Sequence, residues 1–564
     1  MISDEIKKKI EKLFSEKKYE ELISVADQYI KKEERPPGLA CIIGTCYFLK
    51  KKKIKNDFLM SLKYFEEAYL KDNKSIHGLS AVSNFMNVSS VAAKTYDEFL
   101  PYILKAEKFY FETEKDFGNN SNFLIAAQRL FWFQLNNNIL KSISEKLIAN
   151  PRTPLIEKCG NIFYQNYIYN WSQKEYTKNT LINAKNIPKY NVKKINELNL
   201  KENKKIHLGF VSGDFTDQHS IFYFLKDTLK FLDRNIFKIY LFSFNRKQNN
   251  SILGQKEIKS VADEFIDLEN YNNQECVNLI QECKINILLD LMGFSYTKRI
   301  PIFNNRVAPV QISWLAICNT TGIDNIDYLI SDKNLIPENE ESLYPEKILK
   351  MPKIWNAHRG FDYVRSFNKS PCENKDYFTF GSFNNFHKIS DETVEAWSKI
   401  LIKCKSSKLI LKSSSFECNI ENIRDKFKKF GVENKIEILN KKNYPYTKDH
   451  LEAYNDIDLA LDTFPYNGVA TTFEALWKGV PVNVLKGFNF NSRCGYSIIK
   501  NSTFENLISE NIDEYVEKAV TFYNKRKEFL ELRKKIFENI ISTPLFDTKE
   551  FSTAFGKSLL KVSN

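Results

Sequence analysis

Residues 459–479 combine the residue types that bind a phosphate group. An apolar run ends at Asp462, a turn of small residues follows, and a helical pattern begins close behind it. The first turn of a helix has N–H groups without intrahelical acceptors and carries the positive end of the helix dipole, so it attracts anions. Gly468 and Ala470 let a diphosphate approach the backbone, and Thr471 adds a hydroxyl donor. This turn is the first candidate site.

Glu474, in the same helical pattern, has two interpretations. A carboxylate repels phosphate, so as a ligand contact it would hold neutral hydroxyl groups such as those of a ribose. Thr471 and Glu474 also have the spacing of a capping box, in which the Glu side chain returns to the backbone N–H of the capping residue. The residues alone favour neither interpretation.

A second candidate loop lies at residues 380–390, where a strand-like run leads into a polar segment ahead of a helical pattern. Lys388 in this loop could reach a diphosphate and stabilise the charge of a departing phosphate. In a chain this rich in lysine, an ordinary surface position is the alternative.

A third loop, at residues 209–220, follows the first strand-like run and contains His219, one of six histidines in the chain. A neutral imidazole can accept a proton near pH 7. The alternative is a solvent-exposed histidine without a role in chemistry.

Two series of short apolar runs, alternating with helical patterns, position these three loops. Continuous apolar runs are typical of parallel strands covered on both faces. Two such series predict two doubly wound α/β domains, in which ligands bind at the carboxyl ends of the strands. We predict an N-terminal lobe at residues 201–368 and a C-terminal lobe with C-terminal helices at residues 369–564. The predicted strands cover residues 207–212, 239–243, 285–290, 310–314, 377–381, 409–412, 436–439, 459–462 and 482–485.

Residues 1–200 show helical periodicity with few strand-like runs, which predicts an all-helical domain. Gly44, Ser61 and Ala68 are small enough to let two paired helices approach closely. Tyr47 and Phe65 are large enough to fill the space between them. This spacing resembles that of a tetratricopeptide repeat. An irregular helical domain is the alternative.

The composition excludes several classes of protein. The 564 residues carry a net charge of +13, but lysine is spread along the chain without a nucleic-acid-binding motif, so we expect no nucleic-acid partner. No apolar run is long enough to span a membrane. The ten cysteines are scattered, which is typical of reduced thiols in a cytoplasm and argues against a zinc site. Asp456 and Asp458 match an Asp-x-Asp metal motif but lead into a buried strand, so we predict a structural role and no metal.

Six segments, in collinear order between about residues 205 and 560, resemble the O-linked N-acetylglucosamine transferase family and its SPINDLY-like relatives. The resemblance implies a GT-B architecture, with two Rossmann-like lobes that face each other across a cleft. It implies an inverting transfer of N-acetylglucosamine from UDP-N-acetylglucosamine to Ser or Thr of proteins, without a metal or another cofactor. It implies a protein acceptor held by the helical domain, and it leaves a homodimer open. The segments are residues 211–215, 306–314, 319–322, 383–388, 462–468 and 542–546.

By position, the resemblance also assigns the candidate site residues. Lys388 and the backbone amides of residues 468–471 would neutralise the donor diphosphate. His450 would lie beside the uracil and ribose, and Glu474 would bind the ribose hydroxyls. His219 is the candidate proton acceptor and forms the predicted catalytic pair with Lys388. The implied donor-binding residues are Asn385, Lys388, His450, Asn467, Gly468, Ala470, Thr471 and Glu474.

Departures from the family pattern leave alternatives open. Val469 and Ala470 stand where many relatives have glycine, histidine or threonine, so a side-chain donor to the phosphates is missing there. The same scaffold with another donor or acceptor, such as GDP-fucose to Ser/Thr or UDP-glucose to Asn, is one alternative. A helical-repeat scaffold with an inactive transferase domain is the other, against which the intact Lys388, Gly468 and Glu474 count.

Overall fold

The structure is a computed structural model with two compact units. The first unit consists of the chain up to Pro154 together with the short segment that ends at Ile423, and the second unit begins at Leu155. The last helices before residue 200 therefore pack with the second unit. The described residues are 3–29, 31, 34–50, 53–198, 200–216, 219–244, 252–315, 317–361, 365–412, 420–439 and 447–563.

The first unit is a stack of helices joined by short turns. Its helices are α1 (Asp4–Ser15), α2 (Tyr19–Tyr29), α3 (Pro37–Leu49), α4 (Lys55–Lys71), α5 (Ile76–Ala93), α6 (Leu100–Phe117), α7 (Ser121–Phe133) and α8 (Asn137–Ala149). Ser61 Oγ of α4 donates to the Gly44 carbonyl of α3 over 2.7 Å. A Cβ added at Gly44 would lie 3.0 Å from the Phe65 ring. The close helix approach expected from the small residues is therefore present.

The second unit begins with α9 (Leu155–Ile168) and α10 (Gln173–Ala184) and continues into the first lobe. The seven strands of this lobe pair in parallel, in the order β3-β2-β1-β4-β5-β6-β7. The central strands are buried along their length, as their continuous apolar runs predict. The strands are β1 (Ile206–Ser212), β2 (Phe237–Ser243), β3 (Glu264–Asp267), β4 (Ile287–Asp290), β5 (Val310–Ser313), β6 (Tyr328–Asp332) and β7 (Lys347–Met351), with helices α11 (Ser220–Lys230), α12 (Ile252–Ser260) and α13 (Asn273–Glu282).

The second lobe is also a parallel sheet, with the strand order β10-β9-β8-β11-β12-β13. Its strands are β8 (Phe378–Ser382), β9 (Ser407–Lys412), β10 (Ile436–Leu439), β11 (Leu459–Leu461), β12 (Val482–Leu485) and β13 (Ile508–Ser509). The helices along this part of the chain are α14 (Asp391–Lys403), α15 (Ile420–Lys428), α16 (Thr447–Glu452), α17 (Ala470–Trp477), α18 (Phe490–Ser502), α19 (Ile512–Asn524), α20 (Arg526–Asn539) and α21 (Thr548–Ser563). The prediction of a helical region followed by two doubly wound α/β domains is confirmed.

Both polar and apolar contacts join the two lobes. Arg493 of α18 forms two hydrogen bonds of 2.7 Å with the Glu340 carboxylate of the first lobe. The Phe224 and Phe473 rings meet with their centroids 5.2 Å apart. The C-terminal helix α21 returns to the first lobe, where Phe555 packs on Trp314 with ring centroids 4.7 Å apart. Among the described helices, none is both long and apolar enough to span a membrane.

Candidate active site

The candidate site lies at the point where the strand order of the second sheet changes direction. Strands β8 and β11 are neighbours at the centre of that sheet, and the chain after each of them leads to a helix on the sheet. In doubly wound sheets the crevice at such a switch point is where ligands bind, because the loops diverge there. The loop after β8 (residues 383–388) and the loop after β11 (residues 462–469) meet at this position.

A buried carboxylate holds the loop after β11 in shape. Asp462 Oδ1 accepts the backbone N–H of Gly468 over 2.7 Å and that of Thr463 over 2.9 Å. Asn384, from the loop after β8, donates to Asp462 over 3.2 Å and accepts from Thr471 Oγ1 over 2.8 Å. Burial raises the pKa of Asp462 to about 7, although the Gly468 N–H and the Lys388 ammonium oppose the shift. The two loops are therefore tied together at one carboxyl group.

Of the backbone amides of residues 468–471, which were predicted to bind the diphosphate, only some are free to bind a ligand. The Gly468 N–H donates to Asp462 and is not free for a phosphate. The predicted phosphate contact of this N–H is therefore corrected, because the group instead holds the shape of the loop. The N–H groups of Val469, Ala470 and Thr471 have no hydrogen-bond partner among the described residues. These groups stand at the start of α17, where the helix dipole favours an anion.

Lys388 reaches the same turn from the loop after β8. Its Nζ donates to the Asn467 carbonyl over 2.8 Å and lies 4.1 Å from the centre of the Tyr466 ring. Burial lowers the pKa of Lys388, and the nearby Asp462 carboxyl opposes this shift. An ammonium group has three donors, so two remain after the bond to Asn467. The structure thus brings a cation and the first turn of α17 together.

Two predicted donor-binding asparagines use their side chains to hold loops. Asn467 donates to the Thr463 carbonyl over 2.8 Å and accepts the Gly495 N–H over 3.1 Å. Asn385 Oδ1 accepts the His387 N–H over 3.0 Å and lies 2.8 Å from its Nδ1. Their side chains shape the two loops, and the expectation of direct ligand contact is corrected for the Asn467 side chain, which is fully buried.

Glu474 does not cap its helix. The N-cap of α17 is Val469, which makes no side-chain cap, and the Glu474 carboxylate turns to a different element. Its Oε2 lies 3.0 Å from His450 Nε2 and accepts from Tyr454 Oη over 2.9 Å. Burial acts to raise the pKa of Glu474, but His450 and Tyr454 hold it below the ordinary value. Of the two interpretations, the capping box is wrong.

The His450 ring is oriented from both sides. Lys412, at the end of β9, contacts Nδ1, and Glu474 contacts Nε2. A lysine ammonium only donates, so Nδ1 accepts from Lys412 and Nε2 is the ring nitrogen that donates to the carboxylate. The predicted neighbours His450 and Glu474 thus form one polar cluster beside α17.

His219 enters from the first lobe. It precedes α11, its Nε2 lies 3.9 Å from Asp214 Oδ2, and its side chain is 46% exposed. His219 lines a cavity of about 330 Å³ whose wall also contains Tyr466 of the second lobe and Tyr167 of α9. One cavity is therefore lined both by the candidate proton acceptor of the first lobe and by a residue of the loop after β11.

Several residues of the site are not apparent from the sequence. Asn384, Lys412 and Tyr454 contact predicted site residues, but each lies on a different element, and only the fold brings them there. Asp462 had a detectable signal, because it is an acidic residue at the end of a buried strand ahead of Asn-Gly. Asp458 has the predicted structural role: its carboxylate accepts the N–H groups of Cys372 and Thr379 over 2.9 and 2.7 Å.

Two parallel α/β lobes with a helix N-terminus and a lysine at the switch point of the second sheet define the GT-B class of glycosyltransferase fold. The profile described as glycosyl transferase family 41 matches residues 178–364 and 371–555. The chain belongs to this family.

Curated relatives match about three fifths of this chain. The probable UDP-N-acetylglucosamine–peptide N-acetylglucosaminyltransferase SPINDLY of Solanum lycopersicum is 29% identical over 351 residues, which is 61% of this chain and 37% of that protein. The SPINDLY protein of Hordeum vulgare is 30% identical over 349 residues, again 61% of this chain and 37% of the relative. The chain thus spans little more than a third of the length of these relatives.

A solved structure shares the fold over nearly the whole chain. A mutant O-GlcNAc transferase of Thermobaculum terrenum superposes with a TM-score of 0.76 and 21% identity, covering 90% of this chain and 94% of that one. The likeness extends through the helical region as well as the two lobes.

Proposed function

We propose that the protein transfers N-acetylglucosamine from UDP-N-acetylglucosamine to Ser or Thr hydroxyl groups of proteins. Membership of glycosyl transferase family 41 and the activity for which its SPINDLY relatives are named support this proposal. One observation carries the proposal: the Lys388 ammonium lies beside the N–H groups at the start of α17 that have no hydrogen-bond partner in the described part of the chain. This arrangement suits the two phosphates of a nucleotide sugar.

The reaction follows from this geometry. The acceptor hydroxyl attacks the anomeric carbon from the face opposite the nucleotide, and the bond from that carbon to the β-phosphate oxygen breaks. The electron pair leaves with UDP, where Lys388 and the N–H groups of residues 469–471 stabilise the added charge. We assign His219, which lines the cavity beside Tyr466, as the acceptor of the hydroxyl proton. Positioning of both substrates in the cleft supplies a further part of the rate.

The Glu474 cluster fits the nucleoside end of the donor. Glu474 is ionised and held by His450 and Tyr454, and it lies one helical turn beyond the diphosphate position. A carboxylate with remaining lone pairs accepts hydrogen bonds from the two ribose hydroxyls. His450 would lie beside the base. These contacts would bind UDP in one orientation along α17.

We also propose that the helical unit holds the protein acceptor and that it is built from tetratricopeptide-like helix pairs. A groove of about 400 Å³ on this unit is lined by α5 and α7 and contains Asn84, Asn87, Asn122 and Arg129. Arg129 donates to Asn87 Oδ1 over 2.7 Å, which leaves the amide N–H groups of Asn87 for the groove, whereas those of Asn84 are bonded to Ser80. Asparagine amides pair with the N–H and C=O groups of an extended peptide regardless of its sequence.

Turnover without a metal ion and a cytoplasmic location are part of the same proposal. Among the described residues, no three His, Cys, Asp or Glu side chains are grouped to hold a metal. Lys388 and the α17 amides supply the positive charge that a metal would otherwise provide. The cysteines of the described part of the chain are unpaired thiols, as is usual in a reducing compartment. Unchanged turnover in EDTA is expected, and loss of activity restored by manganese would contradict metal independence.

The proposal is tested by a thermal-shift screen followed by a transfer assay. Ligand at about 100 times its dissociation constant adds about 2.7 kcal/mol of stability, which a thermal shift detects easily. We expect UDP and UDP-N-acetylglucosamine to stabilise the protein and GDP to have no effect. Intact-mass spectrometry of a co-incubated acceptor protein should then show the mass of one N-acetylhexosamine. Selective stabilisation by GDP would redirect the donor assignment, and no response to any nucleotide would contradict the enzymatic function.

A further inference from the structure

Helix α9 brings an aromatic side chain to the second lobe. The helix ends at Ile168, before the first residue that matches the family profile, residue 178. The ring of its Tyr167 lies 4.9 Å from the Tyr466 ring and 6.2 Å from the His387 ring, measured between centroids. Tyr466 belongs to the loop after β11 and His387 to the loop after β8. Tyr167 therefore touches both loops of the candidate site.

Hydrogen bonds fix α9 in this position. Asn166 Oδ1 accepts from Asn491 Nδ2 over 2.8 Å. The backbone carbonyl of Asn491 accepts the backbone N–H of Asn467 over 3.2 Å. Asn170, just beyond the helix, donates to Glu392 over 2.7 Å. Loss of the buried hydrogen bond between Asn166 and Asn491 would leave polar groups unsatisfied at a cost in free energy. This bond therefore specifies the register of the helix against the second lobe. Tyr167 is thus placed by neighbours on both sides in the sequence.

The contacts of Tyr466 locate the diphosphate relative to this aromatic pair. The Lys388 ammonium lies over the Tyr466 ring, and Tyr466 also lines the 330 Å³ cavity that contains His219. A group bonded to a phosphate at Lys388 would therefore extend past Tyr466 into the cavity. Its lining includes the adjacent rings of Tyr167 and Tyr466 and the polar side chains of Asp214 and His219. A pyranose ring has this same combination of an apolar face and a polar rim.

We propose that Tyr167 is a sugar-contacting residue: with Tyr466 it forms the aromatic wall against which the transferred sugar of the donor packs. The catalytic pocket then depends on a helix outside the part of the chain that matches the family profile. The inference rests on the proposed nucleotide-sugar function and adds a residue that contacts the sugar and not the nucleotide.

The test separates binding of the sugar from binding of the nucleotide. Isothermal titration of UDP and of UDP-N-acetylglucosamine gives two dissociation constants for each variant. For Tyr167→Ala we expect the constant for the nucleotide sugar to rise about tenfold, because the ring contact with the sugar is lost. The constant for UDP should stay within twofold. Tyr167→Phe keeps the ring and should keep both constants.

Tyr164→Ala is the matched control, because Tyr164 is a half-buried tyrosine of the same helix and does not line the cavity. It should change neither constant. If Tyr167→Ala does not fold, Tyr167→Leu replaces it, since leucine fills the space without a ring. Equal weakening of UDP and the nucleotide sugar, or no change in either, would overturn the role of Tyr167. Absence of UDP binding by the unaltered protein would instead overturn the proposed function on which the inference rests.

Discussion

Replacing Gly468 by alanine should damage the phosphate-binding turn without touching the ligand directly. The added Cβ would lie 2.5 Å from Thr471 Oγ1, 2.6 Å from Asn384 Oδ1 and 3.0 Å from Asp462 Oδ1. Real Cβ atoms essentially never approach heavy atoms closer than 3.0 Å. At least two of these three side chains must therefore move, and they are the ones that tie the loops after β8 and β11 together.

The size of the effect follows from these contacts. Overpacking a buried position costs about 1–3 kcal/mol. Breaking the hydrogen bond between Thr471 and Asn384 adds about 1 kcal/mol. We expect the free energy of unfolding to fall by about 2–4 kcal/mol. Thr471 carries one of the free N–H groups, so its displacement should also weaken ligand binding. A loss of about 1.4 kcal/mol in binding free energy corresponds to a tenfold loss of affinity.

The assay is titration of UDP into Gly468→Ala beside a second glycine variant. Gly160→Ala is the control, because its Cβ would meet Thr297 Oγ1 at 3.4 Å, an ordinary contact. We expect the UDP dissociation constant to rise about tenfold for Gly468→Ala and to stay unchanged for Gly160→Ala. Equal UDP affinity of Gly468→Ala and the unaltered protein would refute the account of a turn that requires glycine.

Three further variants test separate parts of the site and fold. Lys388→Ala should lower kcat about 100- to 1000-fold, as expected for loss of a group that stabilises the leaving charge, and parental turnover would remove Lys388 from the mechanism. Glu474→Gln should shrink the difference in affinity between UDP and 2′-deoxy-UDP measured by titration, and an unchanged difference would exclude the ribose contact. Burial lowers the pKa of His358 to about 3, so the unfolded chain takes up a proton below pH 6.5 that the folded protein does not. The contribution of His358 to stability should therefore fall by about 1.6 kcal/mol between pH 6.5 and 5, measured in denaturation experiments as the difference between the unaltered protein and His358→Phe.

The sequence predicts the strands that form continuous apolar runs and misses β3, β6, β7 and β13. Strands such as β4 and β5 are continuous apolar runs because both faces are covered, and their positions are confirmed. The edge strands β3 (Glu264–Asp267) and β7 (Lys347–Met351) were not predicted, because a partly exposed edge admits charged residues that interrupt the apolar run. The interior strand β6 and the two-residue edge strand β13 were not predicted either.

Local sequence places the site loops but does not determine the partners of their side chains. The strand-to-helix turns at Lys388 and Gly468 follow from local pattern and lie together because β8 and β11 are neighbours. Glu474 shows the limit of this reasoning. Its spacing from Thr471 fits a capping box equally well, and His450 and Tyr454, which lie on other elements, decide the outcome. Tyr167 could not be predicted, since its contact with Tyr466 depends on how α9 packs on the second lobe.

A crystal structure with UDP bound tests the central claim most directly. The account predicts the two phosphates between the Lys388 ammonium and the N–H groups of residues 469–471, with the ribose hydroxyls at Glu474. Electron density for the nucleotide at any other place, with the turn before α17 left empty, would contradict it.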